Sequence, residues 1–214
     1  MITMSLLNGL LPLEEGQLVT EIEYLPAELV PEIPSIVKNS IVDVRCKDNQ
    51  GRQFIVEMQM LWTDSFKSRV LFNASKAYVR QLDKGVEYKG LQPVYALCIV
   101  NEIFEPQTDK WYHHYKLVHT QDYNMVMEGL QLIFVELPKF KPLTFTGKKL
   151  NVLWLRYLSE IDNGTEMINE QLLKDLMEVP EIAQALELTK ESSYTRAELE
   201  TYDKYWDTIR TERT

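Results

Sequence analysis

Ile41-Val-Asp43-Val-Arg45-Cys46-Lys47-Asp48-Asn-Gln-Gly51-Arg52-Gln53-Phe-Ile55-Val-Glu57-Met58-Gln59 is the stretch on which the reading of this chain turns. Two strand-like runs, residues 41–46 and 53–61, flank Lys47-Asp-Asn-Gln-Gly-Arg52, a turn-forming sequence, which predicts an antiparallel hairpin. Strand side chains alternate faces. Ile41, Asp43 and Arg45 therefore share one face, and on the second strand Ile55, Glu57 and Gln59 share a face. Pairing Lys47 with Gln53 sets Asp43 directly opposite Glu57, whereas a slip of one residue separates them onto opposite faces. Like charges directly opposite one another are destabilising. A divalent cation between them removes the conflict, because Mg2+ is typically held by one or two carboxylates, with water and phosphate oxygens completing the shell. Gln59, two residues beyond Glu57, points at the same ligand. On spacing alone, a solvated strand face that carries three polar residues by chance is an equally good reading.

Outward from the hairpin, residues 63–84 predict a helix capped by Thr63 or Asp64 and closed by Gly85. Its apolar stripe is Phe66, Val70, Ala74, Ala77 and Tyr78. Arg69, Lys76 and Arg80 fall beside that stripe, within about 40° of one another at about 100° per residue. Residues 66–91 hold six basic and two acidic side chains. This strip is the chain's candidate for phosphate contacts, weighed against an ordinary solvated helix edge. Pro93 to Val100 is a nearly continuous apolar run of the kind buried on both faces of a sheet. Residues 111–118 and 130–137 predict two further strands, and residues 148–160, 166–176, 180–188 and 195–211 predict helices. Residues 5–11 read as the tail of a helix. Residues 12–40, with four prolines, read as irregular connections with one short strand. Strands first, one long helix among them, and helices last describe an α/β or α+β core with a C-terminal helical extension.

The composition is that of a globular chain: 214 residues, 45% hydrophobic and 26% charged, with 8 glycines and 9 prolines. It excludes collagen-like and wholly disordered classes. No apolar run approaches the roughly 18–20 residues that span a bilayer, and the first residues make a poor signal peptide. The expectation is a soluble, cytoplasmic protein. Cys46 and Cys98 are too few for a disulfide framework or a zinc cage and sit in apolar runs, which predicts buried, inert thiols. The net charge of −9 argues mildly against an electrostatic grip on nucleic acid. Residues 151–214, however, hold 7 basic and 14 acidic side chains, against 16 and 18 in residues 1–150, so the acidity is concentrated in the last third. His113, His114 and His119 invite a metal reading, but adjacent strand positions face opposite ways, and structural roles are the better expectation. Trp111, Tyr112 and Tyr115 are better read as core than as base-stacking residues.

The hairpin sequence from Ile41 to Gln59 resembles the core of the PD-(D/E)XK nuclease family transposases, also called recombination-promoting nucleases. Ser5-Leu-Leu-Asn-Gly-Leu-Leu11 resembles the end of that family's first helix, which would be shortened here at its start. Phe66-Lys-Ser-Arg69, Tyr78 and Gly85-Val-Glu-Tyr88 resemble its next helix. Leu91-Gln-Pro-Val-Tyr-Ala-Leu-Cys98-Ile99 and Phe134-Val-Glu-Leu-Pro-Lys-Phe140 resemble two of its strands. The resemblance spans roughly residues 4–160. It implies a restriction-endonuclease-like α/β fold, a mixed sheet flanked by helices, with a nuclease core over residues 1–150 and an acidic helical extension over 151–214. It implies Mg2+-dependent hydrolysis of DNA phosphodiesters, with Mn2+ able to substitute. Asp43 and Glu57 would be the acidic metal ligands, the Met58 carbonyl the backbone ligand, and Gln59 would stand where the wider superfamily has Lys. Asp43, Glu57 and Gln59 would be catalytic, and Arg69, Lys76 and Arg80 would bind DNA phosphates. The partners implied are DNA and, through the C-terminal helices, a second copy of the chain. The alternative is a catalytically inactive relative that serves as a DNA- or protein-binding module.

Overall fold

The computed structural model describes residues 2–14, 16–29, 40–41, 43–59, 62–82, 87–141, 149–160 and 170–189. Two compact units divide the chain: residues 3–167, and residues 168–214 together with residues 1–2. The larger unit contains the helices α1 (Ile2–Leu10, from Thr3 onward), α2 (Phe66–Val79) and α3 (Leu150–Glu160). Its strands are β1 (Ile22–Tyr24), β2 (Glu28–Leu29), β3 (Ser40–Ile41), β4 (Val44–Asp48), β5 (Gln53–Gln59), β6 (Val94–Val100), β7 (Tyr112–His119) and β8 (Asp122–Glu136). Six of them form one mixed sheet in the order β1-β4-β5-β6-β8-β7, and β2 pairs with β3 separately. β5, β6 and β8 run parallel at the centre, with antiparallel neighbours outside them. This is the restriction-endonuclease-like α/β fold, helices on a mixed sheet, that the hairpin sequence implied.

All seven residues of β6 are buried, because the sheet is covered on both faces. One face carries Phe54, Val56, Leu97, Ile99, Ile133 and Val135 against Leu7 and Leu10 of α1 and Val152 and Leu155 of α3. α1 approaches α3 so closely that a Cβ on Gly9 would lie 3.1 Å from Trp154 Cδ1, and the indole Nε1 of Trp154 donates to Ser5 Oγ at 3.1 Å. The opposite face carries Ile55, Ala96, Cys98, Val100 and Phe134 against Phe66, Val70, Ala74 and Ala77 of α2. Glu57 and Gln59 share the parity of Ile55, so both lie on the α2 face.

The hairpin turn is organised by Asp48. Its Oδ1 accepts from the backbone N–H groups of Gln50 and Arg52, and its Oδ2 accepts from Arg52 Nε at 2.7 Å, with both residues buried. Gly51 supplies the positive φ of 82° that a side chain resists. The register places Lys47 against Gln53 and Val44 against Val56, the one of the two open pairings that sets Asp43 on the side of Glu57.

Other sequence expectations are corrected at their boundaries. Ile41 does not extend β4 but pairs in β3 with Glu28, and the chain bends at Asp43 before entering β4. α2 starts at Phe66 behind Ser65, which makes no side-chain cap bond, so neither Thr63 nor Asp64 is the cap. β8 begins at Asp122, eight residues before the predicted start, because β7 and β8 continue as an exposed hairpin that needs no buried face. Region 12–40 holds the short strands β1 and β2 before residue 30. Gly85, the predicted helix 195–211 and most of the loop before α3 lie outside the described residues.

In the smaller unit, α4 (Glu170–Met177) and α5 (Pro180–Leu188) pack on one another, joined by a tight turn in which Pro180 opens α5. Proline suits a first helical turn, where its missing N–H has no partner to lose. Among the described residues no helix is long and apolar enough to cross a membrane.

Candidate metal and phosphate site

Asp43 and Glu57 both lie at the end of the β4–β5 ladder. The backbone pairing described ends at Val44–Val56. At the next rung the Met58 N–H donates instead to Asp43 Oδ2 at 2.7 Å. The aspartate side chain thus takes a donor that an unbroken ladder gives to a backbone carbonyl, and this fixes the exposed Asp43 carboxylate at the edge of β5. The Gln59 carbonyl accepts from Asn101 N–H on the β6 side. A strand residue sends its N–H and C=O to the same side, so the carbonyl of Met58 faces the Asp43 side, as its N–H does.

Glu57 is 6% exposed, beneath α2. Its Oε1 accepts from Asn73 Nδ2 at 3.0 Å, and its Oε2 lies 3.8 Å from Arg69 Nη2. Burial pushes the Glu57 carboxyl above its ordinary value, the Asn73 amide and the Arg69 guanidinium act against that rise, and the Asp43 carboxylate adds to it. The Asp43 carboxylate is therefore close enough to oppose ionisation of Glu57. Cys98, beside Glu57 in the parallel pairing of β5 and β6, is fully buried; burial holds its thiol well above the ordinary value and Glu57 raises it further. Cys46 is buried on the other face of the sheet, where burial pushes its thiol up to about 11.

Arg69 stands on the first turn of α2 and reaches back to the strand. Its Nη2 donates to Gln59 Oε1 at 2.7 Å, and the guanidinium lies over the Phe66 ring at 4.9 Å. Two helical turns on, Lys76 covers the Phe72 ring at 4.9 Å, and Arg80 is the residue that ends α2. Arg80 lowers the pKa of Lys76, after burial, and does the same to the buried Arg45. Arg45, on the Glu57 face, donates from Nη2 to Gln53 Oε1 at 2.9 Å, while its Nε is buried without a partner among the described residues. The structure thus brings Arg69 to the carboxylate pair and sets Lys76, Arg80 and Arg45 together along the same side of α2.

The donor set fits a small hard cation. Two carboxylates and a backbone carbonyl on one strand end are oxygen ligands, the kind Mg2+ takes while keeping water and phosphate in its shell. Among the described residues no group of three or more His, Cys, Asp and Glu side chains could hold an ion. The histidines have other partners: His113 Nε2 pairs with the buried Glu136 at 2.8 Å, His114 Nε2 with Gln131 at 2.9 Å, and His119 Nδ1 accepts turn N–H groups. Tyr112 donates to the Leu10 carbonyl, and Trp111 packs edge-on against Phe140.

Asn73 is the site residue that sequence reasoning missed. It is 1% exposed, and its Oδ1 is buried without a partner among the described residues. The signal was present: an amide interrupts the helix stripe formed by Phe66, Val70, Ala74 and Ala77, and a polar residue on a buried stripe needs a partner.

No curated protein and no solved structure matches this chain. A family model matches residues 1–211 of the 214, and its sheet-and-helix plan is the one described above. The chain belongs to the PD-(D/E)XK nuclease family transposases.

Proposed function

We propose that the protein is a metal-dependent DNA endonuclease of transposase-like, recombination-promoting type. The observation that carries this reading is the Asp43–Glu57 pair, two repelling carboxylates held at one strand end with the Met58 carbonyl on the same side. Asp43, Glu57 and the Met58 carbonyl would hold Mg2+ or Mn2+. Such a cation supplies Lewis acidity toward a phosphoryl oxygen and makes water a better nucleophile at neutral pH.

The protein's own residues position the substrate and the ligands. Asn73, on α2, fixes the Glu57 carboxylate through one oxygen and leaves the second beside Arg69. Gln59 orients polar groups over the same ligand. Arg69, Lys76 and Arg80 contact backbone phosphates, which sets the register of the duplex without reading its sequence. In the hydrolysis a water oxygen bonds to phosphorus and the bond from phosphorus to one sugar oxygen breaks. The water proton passes to solvent, and the departing sugar oxygen takes up a proton.

The test is nicking of supercoiled plasmid by the full chain. Cleavage is expected with Mg2+ or Mn2+, and none in EDTA or after Asp43→Ala or Glu57→Ala. Cleavage that survives EDTA or both substitutions overturns the reading. Tight DNA binding with no cleavage in either metal replaces it with that of a binding module.

A further inference from the structure

Gln59 shares the Glu57 face of β5, yet its amide carries no charge. Electrostatic stabilisation of the charge that develops during transfer is commonly the largest single contribution to catalysis. Among the described residues the cation beside Glu57 is Arg69, ten residues after Gln59 and on a different element. Its Nη2 is 2.7 Å from Gln59 Oε1 and 3.8 Å from Glu57 Oε2, and its guanidinium lies on the Phe66 ring at 4.9 Å. These contacts hold the guanidinium between the strand and the Phe66 ring. The side chain is still 47% exposed, so the site's solvent side reaches it. The 3.8 Å separation from Glu57 is too long for the short, strong charge-assisted bond of a closed ion pair. The guanidinium therefore keeps charge and further donors for an arriving oxyanion.

We propose that Arg69 supplies the positive charge at the scissile phosphate, and that Gln59 is the positioning residue that aims it. The site's positive charge is thus carried by the helix and not by the strand, and the Gln59 side-chain oxygen is the acceptor that holds the guanidinium. This rests on the metal-nuclease reading. It differs from a general phosphate contact, the role left to Lys76 and Arg80, by locating Arg69 at the reacting group. The ligand class is a phosphate monoester or diester placed beside the Asp43–Glu57 cation.

The experiment measures thermal midpoints of the full chain in MgCl2 with and without thymidine 5′-monophosphate, alongside plasmid nicking. In wild type, Mg2+ raises the midpoint and the nucleotide raises it further. Arg69→Gln is expected to keep the Mg2+ rise, lose the nucleotide increment, and lower kcat about 100- to 1000-fold with KM within about threefold. Adding Gln59→Lys to Arg69→Gln is expected to recover the nucleotide increment and at least tenfold in kcat, since it returns the charge to the strand. Gln59→Ala, which leaves the charge but frees its aim, is expected to lower kcat about tenfold. A nucleotide increment that survives Arg69→Gln, or a charge at position 59 that restores nothing, overturns the assignment. Absence of any Mg2+ response in wild type overturns the metal-nuclease reading instead. The same nucleotide increment measured in EDTA then decides the role of Arg69: lost on Arg69→Gln it stands, and unchanged or absent it falls.

Discussion

Replacing Asp43 by asparagine separates a shared metal site from two unrelated carboxylates without any substrate. The amide oxygen introduced at position 43 can still accept the Met58 N–H bond that Asp43 Oδ2 accepts at 2.7 Å, and the position is exposed, so the fold is kept. What changes is charge. The variant no longer raises the buried Glu57 carboxyl by repulsion, and it offers a cation one anion fewer. A ligand that binds only the folded state stabilises it by about 2.7 kcal/mol at a hundredfold excess over Kd. At about 2–4 °C per kcal/mol for a chain of this size, the wild-type midpoint should rise by about 5–11 °C. If the lost anion weakens binding about a hundredfold, the same concentration stabilises the variant by only about 0.4 kcal/mol, a rise of about 1–2 °C. Asp43→Asn should also melt slightly above wild type in EDTA. The assay is a fluorescence or calorimetric melt titrated to tens of millimolar MgCl2, with NaCl matched for ionic strength. Equal metal-free midpoints together with equal Mg2+ responses would refute the shared site and with it the proposed roles of both carboxylates.

Lys76→Gln with Arg80→Gln should weaken DNA binding equally across unrelated sequences. It should reduce the slope of log K against log salt by about 1.8, two phosphate contacts at about 0.9 each; an unchanged slope in a fluorescence-anisotropy salt series would make the strip a solvated edge. Glu136 is fully buried and bonded by Lys139, His113 and the N–H groups of Phe104 and Glu105. Burial alone would raise its carboxyl, but Lys139, the two N–H groups and His113 outweigh it and hold the pKa below the ordinary value of 4.5. Its contribution to stability is thus present above about pH 4.5 and lost as pH falls through the lower folded value. Glu136→Gln, which leaves Lys139 without its buried partner, should cost about 3–5 kcal/mol at pH 7. That deficit should shrink below pH 4.5 in urea melts, and a deficit independent of pH would contradict this assignment.

The sequence alone determined the hairpin. It follows from neighbours: two strand-forming runs, a five-residue turn, and Asp48 able to bond the turn's own N–H groups and Arg52. The register was left open between two pairings, and the structure adopts the one that sets Lys47 against Gln53. The burial of β6 on both faces was equally legible, because seven consecutive apolar residues leave no face for water. The tertiary structure decided what lies far apart in the chain. That Ile41 leaves the ladder and Asp43 caps Met58 depends on β2, which draws Ile41 into a second pairing. The early start of β8 depends on β7 as its partner, since an exposed ribbon has no hydrophobic period to read. At the site, Asn73 reaches Glu57 across 16 residues and Arg69 reaches Gln59 across 10. Helical periodicity put Arg69 in line with Lys76 and Arg80, but periodicity fixes only where a side chain leaves the helix. Where a long, flexible arginine ends is set by the acceptors within its reach, and those were supplied by a strand that only folding brought beneath α2.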